Sequence, residues 1–197
     1  MTNVLRTHTD AEHVCYEVDM LVATADALRE LDAARCHAAT TAGGSLNTPK
    51  PSAMTASTGA VKGSVSLTGG WQAADPTQIR RHALLEAFLV HFRCLAEFLS
   101  KRETTYGDEV LAVLFFDDPK KWPDVPKDAD IRTQRGRVDQ YLSHISANRA
   151  SNPAWPYLTL RLQVLQAVGR FLKLLGTEHP DRASWFGGLR RHIPPCK

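Results

Sequence analysis

Arg80-Arg-His-Ala-Leu-Leu-Glu-Ala-Phe-Leu-Val-His-Phe-Arg-Cys-Leu-Ala-Glu-Phe-Leu99 holds no glycine and no proline. Two apolar rows run down it at steps of three and four: Leu84, Phe88, His91, Leu95, Phe98 and Leu85, Phe88, Phe92, Leu95, Leu99. That period is helical, and two adjoining rows make a face broad enough to need cover on more than one side. The stretch predicts the central helix of a bundle, opened by Asp75-Pro-Thr-Gln-Ile79. Glu86, His91, Arg93 and Glu97 interrupt its apolar character. No run in the chain reaches the roughly 18–20 apolar residues that span a bilayer.

Toward the N-terminus, Asp10 is a helix cap, and Val14, Val18, Leu21, Ala25 and Leu28 make a stripe at alternating steps of four and three. The first helix is expected to end near Cys36, so that residues 1–37 form the first element of the bundle. Composition then shifts. Residues 38–74 are dominated by Ala, Thr, Ser and Gly, with Pro49 and Pro51, and their apolar residues carry no helical period. Val61-Lys-Gly-Ser-Val-Ser-Leu67 alternates as a brief strand would, with no second strand to pair with. Such a segment buries too little to offset its ordering entropy, which predicts a flexible linker or loop that proteases cut first.

Toward the C-terminus, Lys101–Tyr106 is a polar connection, and Glu109-Val-Leu-Ala-Val-Leu-Phe-Phe116 fits a short helix or a strand, helix being favoured for want of a partner strand. Asp117–Pro126 is a proline-broken loop. A further helix begins at Asp128 or Asp130, carries Ile131, Val138, Leu142 and Ile145, and ends near Arg149. Pro156 starts the last long helix, with Leu158, Leu162, Leu165, Val168, Leu172 and Leu175 as its stripe and Gly176 as its stop. Residues 177–197 are expected as an irregular tail with one packed aromatic corner. The fold class is all-α: an antiparallel bundle of about four to five helices, its main body at 75–176, with a long flexible loop after the first helix.

The chain has 197 residues and is 43% hydrophobic, enough for a core without a disulfide or metal staple. A net charge of +3 permits a nucleic-acid partner without arguing for one. Charge is uneven, however. From Arg132 to Arg149 the cations are Arg132, Arg135, Arg137 and Arg149, against the single acid Asp139. Cys15, Cys36, Cys94 and Cys196 make no C-x-x-C pair and read as reduced thiols of a cytoplasmic protein, Cys15 and Cys94 as small buried hydrophobes. The first ten residues lack the apolar core of a secretory signal. Neither a phosphate-binding glycine loop nor a zinc-protease or nucleophile-elbow motif occurs, and no ligands cluster at metal spacing. No cofactor or metal is therefore expected. Asp117-Asp118 reads as a turn and capping feature.

Two helical constellations remain. Glu86, His91 and Arg93 are secondary candidates, with a small-molecule pocket inside the bundle as the functional possibility. The plainer account makes His91 a satisfied core histidine and Arg93 an ion-pair partner of Glu97 four residues on. In Arg137-Val-Asp-Gln-Tyr-Leu-Ser-His144, Arg137 and His144 share one side of the helix, roughly 10 Å apart along its axis. Tyr141 lies between them and Asn148 continues the row. This row sits about 100° from the Val138/Leu142/Ile145 centre, at the edge of the buried face. The alternative is a polar helix border with an incidental Arg and His.

Arg-x6-His, late in a helical bundle of this size, resembles the motif of the HEPN domain. In that family the residue after the Arg is typically polar, often Asn; here it is Val138, followed by Asp139. Leu84–Leu99 is also similar to a segment of uncharacterised bacterial helical proteins that end in an Arg/His helix. The resemblance covers roughly residues 79–175 and the first helix, and implies an all-α bundle that dimerises through paired Arg/His helices. It further implies either a metal-independent ribonuclease of toxin–antitoxin or phage-defence type, or an inactive binding module or antitoxin partner. In the first case His144 would move protons around the attacking 2′-hydroxyl, and Arg137 would hold the scissile phosphate, with Tyr141, Asn148, Arg132 and Arg135 helping to bind RNA.

Overall fold

The computed structural model describes residues 6–42, 75–123, 131–143 and 155–194. Among them the chain is helical, with no strand: α1 (His8–Ala42), α2 (Pro76–Ser100), α3 (Ile131–Ser143), α4 (Tyr157–Glu178) and the short α5 (Pro180–Ser184). Three 3-10 turns join them, at Ala112–Phe115, Pro119–Lys121 and Gly187–Arg191. The fold is the all-α bundle that the periodicities predict. No described helix is long and apolar enough to cross a membrane.

Helix α1 starts earlier and ends later than its sequence suggests. Thr7, rather than Asp10, is the cap: its Oγ1 accepts from the Asp10 backbone N–H at 3.4 Å, and the Asp10 carboxylate accepts from the Thr7 N–H at 2.8 Å. This reciprocal pair satisfies two donors that a bare helix end leaves open. The helix runs on to Ala42, past Cys36, through residues of good helix propensity such as Ala38 and Ala39. Residues 38–42 of the expected loop thus belong to α1, and the rest of it, 43–74, lies outside the described residues.

Asp75 caps α2 by accepting from Thr77 N–H at 2.9 Å, with Pro76 in the first turn, where a missing N–H costs nothing. Leu85, Phe88, Leu89, Phe92, Leu95, Ala96, Phe98 and Leu99 are all buried. Three neighbours provide their cover, since α1, α3 and α4 each pack against α2. Pairings across the helices set the directions. Glu17 meets His91 and Asp32 meets Arg81, so α1 and α2 are antiparallel. Arg93 meets Asp139 and Glu97 meets Arg135, so α3 opposes α2. Asp26 meets Arg161 and Asp32 meets Tyr157, so α4 opposes α1.

The Glu109–Phe116 run is a 3-10 turn at Ala112–Phe115 rather than an α-helix. Leu111, Ala112, Val113, Phe115 and Phe116 are buried on every side, so the run has no solvent face to give it a period. Gly176 does not stop α4, which continues to Glu178. Nor is the segment after it irregular: α5 and the Gly187–Arg191 turn bring Phe186 and Leu189 into the core. The aromatic corner expected there is part of a larger cluster around Phe171. Five rings meet Phe171 edge to face: Phe98 at 5.2 Å, Phe186 at 5.4 Å, Trp122 at 5.6 Å, Phe115 at 5.9 Å and Phe116 at 6.0 Å. Trp122 brings its indole N–H to the Leu99 carbonyl at 3.0 Å, so the buried ring leaves no donor unmet.

Cys15 is half-buried against the core, whereas Cys94 is exposed rather than core-packed. Loss of solvent around its thiol, then the nearby Glu17 charge, push the Cys94 pKa up to about 11. That thiol stays protonated at neutral pH and is a poor nucleophile.

Candidate functional site

Helix α3 carries the site residues that the sequence singles out. Ile131 and Val138 are fully buried and fix which side of α3 faces α2 and α4. Arg137, one position before Val138, is consequently exposed, and Tyr141 is half-buried at the border. His144 and Asn148 lie outside the described residues, as do Ile145 and Arg149. The structure therefore brings Arg137 and Tyr141 to one edge of α3.

The Arg137 guanidinium carbon stands 5.1 Å from the centre of the Trp155 ring, a cation–π contact. Its Nη1 donates to Gln134 Oε1 at 2.9 Å, one turn back. Tyr141 meets the same indole edge to face at 5.5 Å. Trp155 is thus the ring around which the edge of α3 is organised, and it ties α3 to the start of α4. Sequence reasoning passed over it because Trp155 sits between Pro153 and Pro156, outside any periodic row.

The other arginines of α3 face α2. Arg135 lies 3.4 Å from Glu97 and 3.8 Å from Asp139. Arg132 donates to the Ser100 carbonyl at 3.3 Å, close to the end of α2, where helix carbonyls lack partners within the helix. Arg93 does not pair with Glu97, as its spacing suggested, but reaches across to Asp139 at 2.5 Å. Glu97 instead meets Lys101 at 3.5 Å and Arg135, and Lys101 continues the chain of charges to Glu109. Between α2 and α3 lies a cleft of about 290 Å³, lined by Ser100, Arg132, Arg135, Gly136 and Asp139.

His91 is 12% exposed in its side chain. Its Nδ1 lies 2.8 Å from Glu17 Oε2, and its ring meets Tyr16 edge to face at 6.1 Å. It is a joint between α1 and α2.

Carboxylates of α1 make three further junctions that span distances no local pattern reveals. Asp32 accepts from Arg81 Nε at 2.8 Å and from the Tyr157 hydroxyl at 3.0 Å. The Arg81 bond, helped by Tyr157, holds the Asp32 carboxyl below the usual range against the opposing effect of burial. Burial and the adjacent Asp32 push the Tyr157 phenol up to about 12. Asp26 accepts from Arg161 at 2.7 Å. Asp19 meets Arg191 at 3.0 Å and His192 Nε2 at 2.7 Å. Near the tail, Arg182 reaches Asp117 at 2.7 Å and the Phe115 carbonyl at 2.8 Å, while the Asp118 carboxylate caps the Pro119–Lys121 turn. Asp118 therefore serves the turn as a cap, while Asp117 ties it to Arg182 and His179. Among the described residues no three His, Cys, Asp or Glu side chains converge to hold a metal ion.

Compared with family models, curated proteins and solved structures, the chain matches none.

Proposed function

We propose that this chain is a non-catalytic helical interaction module, a bundle that works by binding another protein. The observation that carries this reading is the internal engagement of the α3 cations. Arg137 rests on Trp155 and bonds Gln134, Arg135 stands between Glu97 and Asp139, and Arg132 reaches the end of α2. A guanidinium that clamps phosphate presents paired donors to the incoming anion. Here each of the three is already held by a contact within the bundle. The test is incubation of the full chain with end-labelled RNA in chelator. The expected result is intact RNA, with Arg137→Ala altering only stability, by about 1 kcal/mol for the lost cation–π contact.

A second reading, a HEPN-type metal-independent endoribonuclease of toxin or defence type, is favoured by one observation. Arg137 and Tyr141 share the solvent edge of α3, and the Trp155 ring holds the guanidinium in place there. In that reading His144 transfers the proton, Arg137 holds the phosphate, and a second copy of the chain brings two α3 helices together. RNA cleavage in chelator, lost in both His144→Ala and Arg137→Ala with unchanged helical content, would establish it. A monomer mass by light scattering at micromolar concentration would remove its paired-helix form.

A further inference from the structure

We infer that the surface formed by α4 and the turn that closes on it docks an acidic amphipathic helix of a partner protein. This names the partner class for the interaction-module reading and rests on it. Between Tyr157 and Thr177 the chain carries Arg161, Arg170 and Lys173 and no acid. One row of α4, Leu158-Leu162-Leu165-Gly169-Leu172-Gly176, recurs at steps of three and four and looks out toward the closing turn. Its leading members are far more open than core leucines: Leu158 is 45% and Leu162 47% exposed.

Ile193 crosses this row at Gly169. A Cβ on residue 169 would lie 2.8 Å from Ile193 Cγ2, so the crossing needs glycine there. It leaves a hollow on each side. One, of about 460 Å³, is floored by Leu158, Leu162 and Leu165 and edged by Arg161 and Arg191. The other, of about 360 Å³, is walled by Leu172 and Gly176 and edged by Lys173 and Arg190. Arg161 and Arg191 hold Asp26 and Asp19. Lys173 and Arg190 make no ion pair among the described residues.

An occupant must therefore offer apolar side chains to the floor and carboxylates to the rim. The hollows are centred about twelve residues apart on α4, roughly 18 Å, which an occupant helix spans in about three turns. The floor is aliphatic; of the rings beside it, Phe186 is buried and His192 is mostly buried and held by Asp19. A nucleic acid would find cations here but no exposed ring on which to stack a base. Of the carboxylates that a second copy of this chain could offer from α1, Asp19, Asp26 and Asp32 are already paired.

The experiment is fluorescence anisotropy with the full chain and three labelled probes. The first is a helical peptide of about 18 residues with leucines on one face and glutamates elsewhere. The second replaces each glutamate by lysine, and the third is a single-stranded RNA of similar length. The acidic peptide should bind at least about tenfold more tightly than the basic one. Lys173→Glu with Arg190→Glu should weaken it about tenfold or more and narrow or reverse the preference, and Leu162→Asp should weaken it similarly. All three positions are exposed, so thermal melts should stay unchanged. Equal binding of the two peptides, or binding that ignores these substitutions, overturns the docking surface. So does tighter RNA binding lost in the same variants. Cleavage of RNA by the wild-type chain would overturn the module reading instead, whatever the peptides do.

Discussion

Asp32 takes donors from two helices at once, Arg81 of α2 and Tyr157 of α4, so protonating it loosens three elements together. Its folded-state pKa is depressed, which sets the sign of the effect. The stability it supplies is fully present above the unfolded value of about 4 and is lost as pH falls through the lower folded value. Asp32→Asn should cost about 1 kcal/mol near pH 7, a figure kept small because the pair is partly solvent-screened. The same variant should flatten the acid limb of a stability-versus-pH curve measured by urea denaturation. An unchanged acid limb would place the titration elsewhere. Gly169 makes a second forecast at this scale. Gly169→Leu drives a side chain into Ile193 and should destabilise by roughly 1–3 kcal/mol, although leucine is the better helix former.

At the scale of elements, the rotation of α3 decides what its motif can do. Val138 is fully buried, so the position that follows Arg137 points into the bundle. Val138→Asn would bury an amide in an apolar site and should cost roughly 2–4 kcal/mol by chemical denaturation. A neutral result would mean that α3 is turned differently. Phe171, in the middle of α4, gives the complementary forecast. Phe171→Ala removes the ring that five others meet and should cost about 3–5 kcal/mol.

Elements were legible where burial is one-sided. Alternating three- and four-residue steps exposed α1 and α2 because each has a wet face to contrast with its dry one, whereas in α4 they found the helix but not its face: Leu158 and Leu162 of the expected stripe look to solvent, and Leu160, Val164 and Phe171 are buried instead. Leu111–Phe116 offered no such contrast. The turns after Glu178 are too short for a period, and Phe186 finds its partners at Phe115 and Phe171, far away in sequence. The site was half legible. The placing of Arg137 at a helix edge follows from Val138 alone, but Trp155 beneath it does not. Nor do the partners of Arg93 and Arg135, which depend on how α2 meets α3.

For the whole molecule, the expected outcome of binding is a gain in thermal stability without a change in helical content. A partner helix on the α4 surface would bury Leu158 and Leu162, and anything that binds only the folded chain shifts unfolding in its favour. Raising salt should weaken that association, since Lys173 and Arg190 act from the solvent-exposed rim.

Three acids of α1 that pair with late parts of the chain have a consequence for how the chain comes into being. Asp32, Asp26 and Asp19 wait for Tyr157, Arg161 and His192, separated from them by 125, 135 and 173 positions. Synthesis proceeds from the N-terminus, so α1 emerges long before α4 and the closing turn exist. Its apolar stripe then has α2 as cover on one side, and the other side stays wet until the ribosome has passed residue 192. Until then the first helix is a surface that a chaperone can hold.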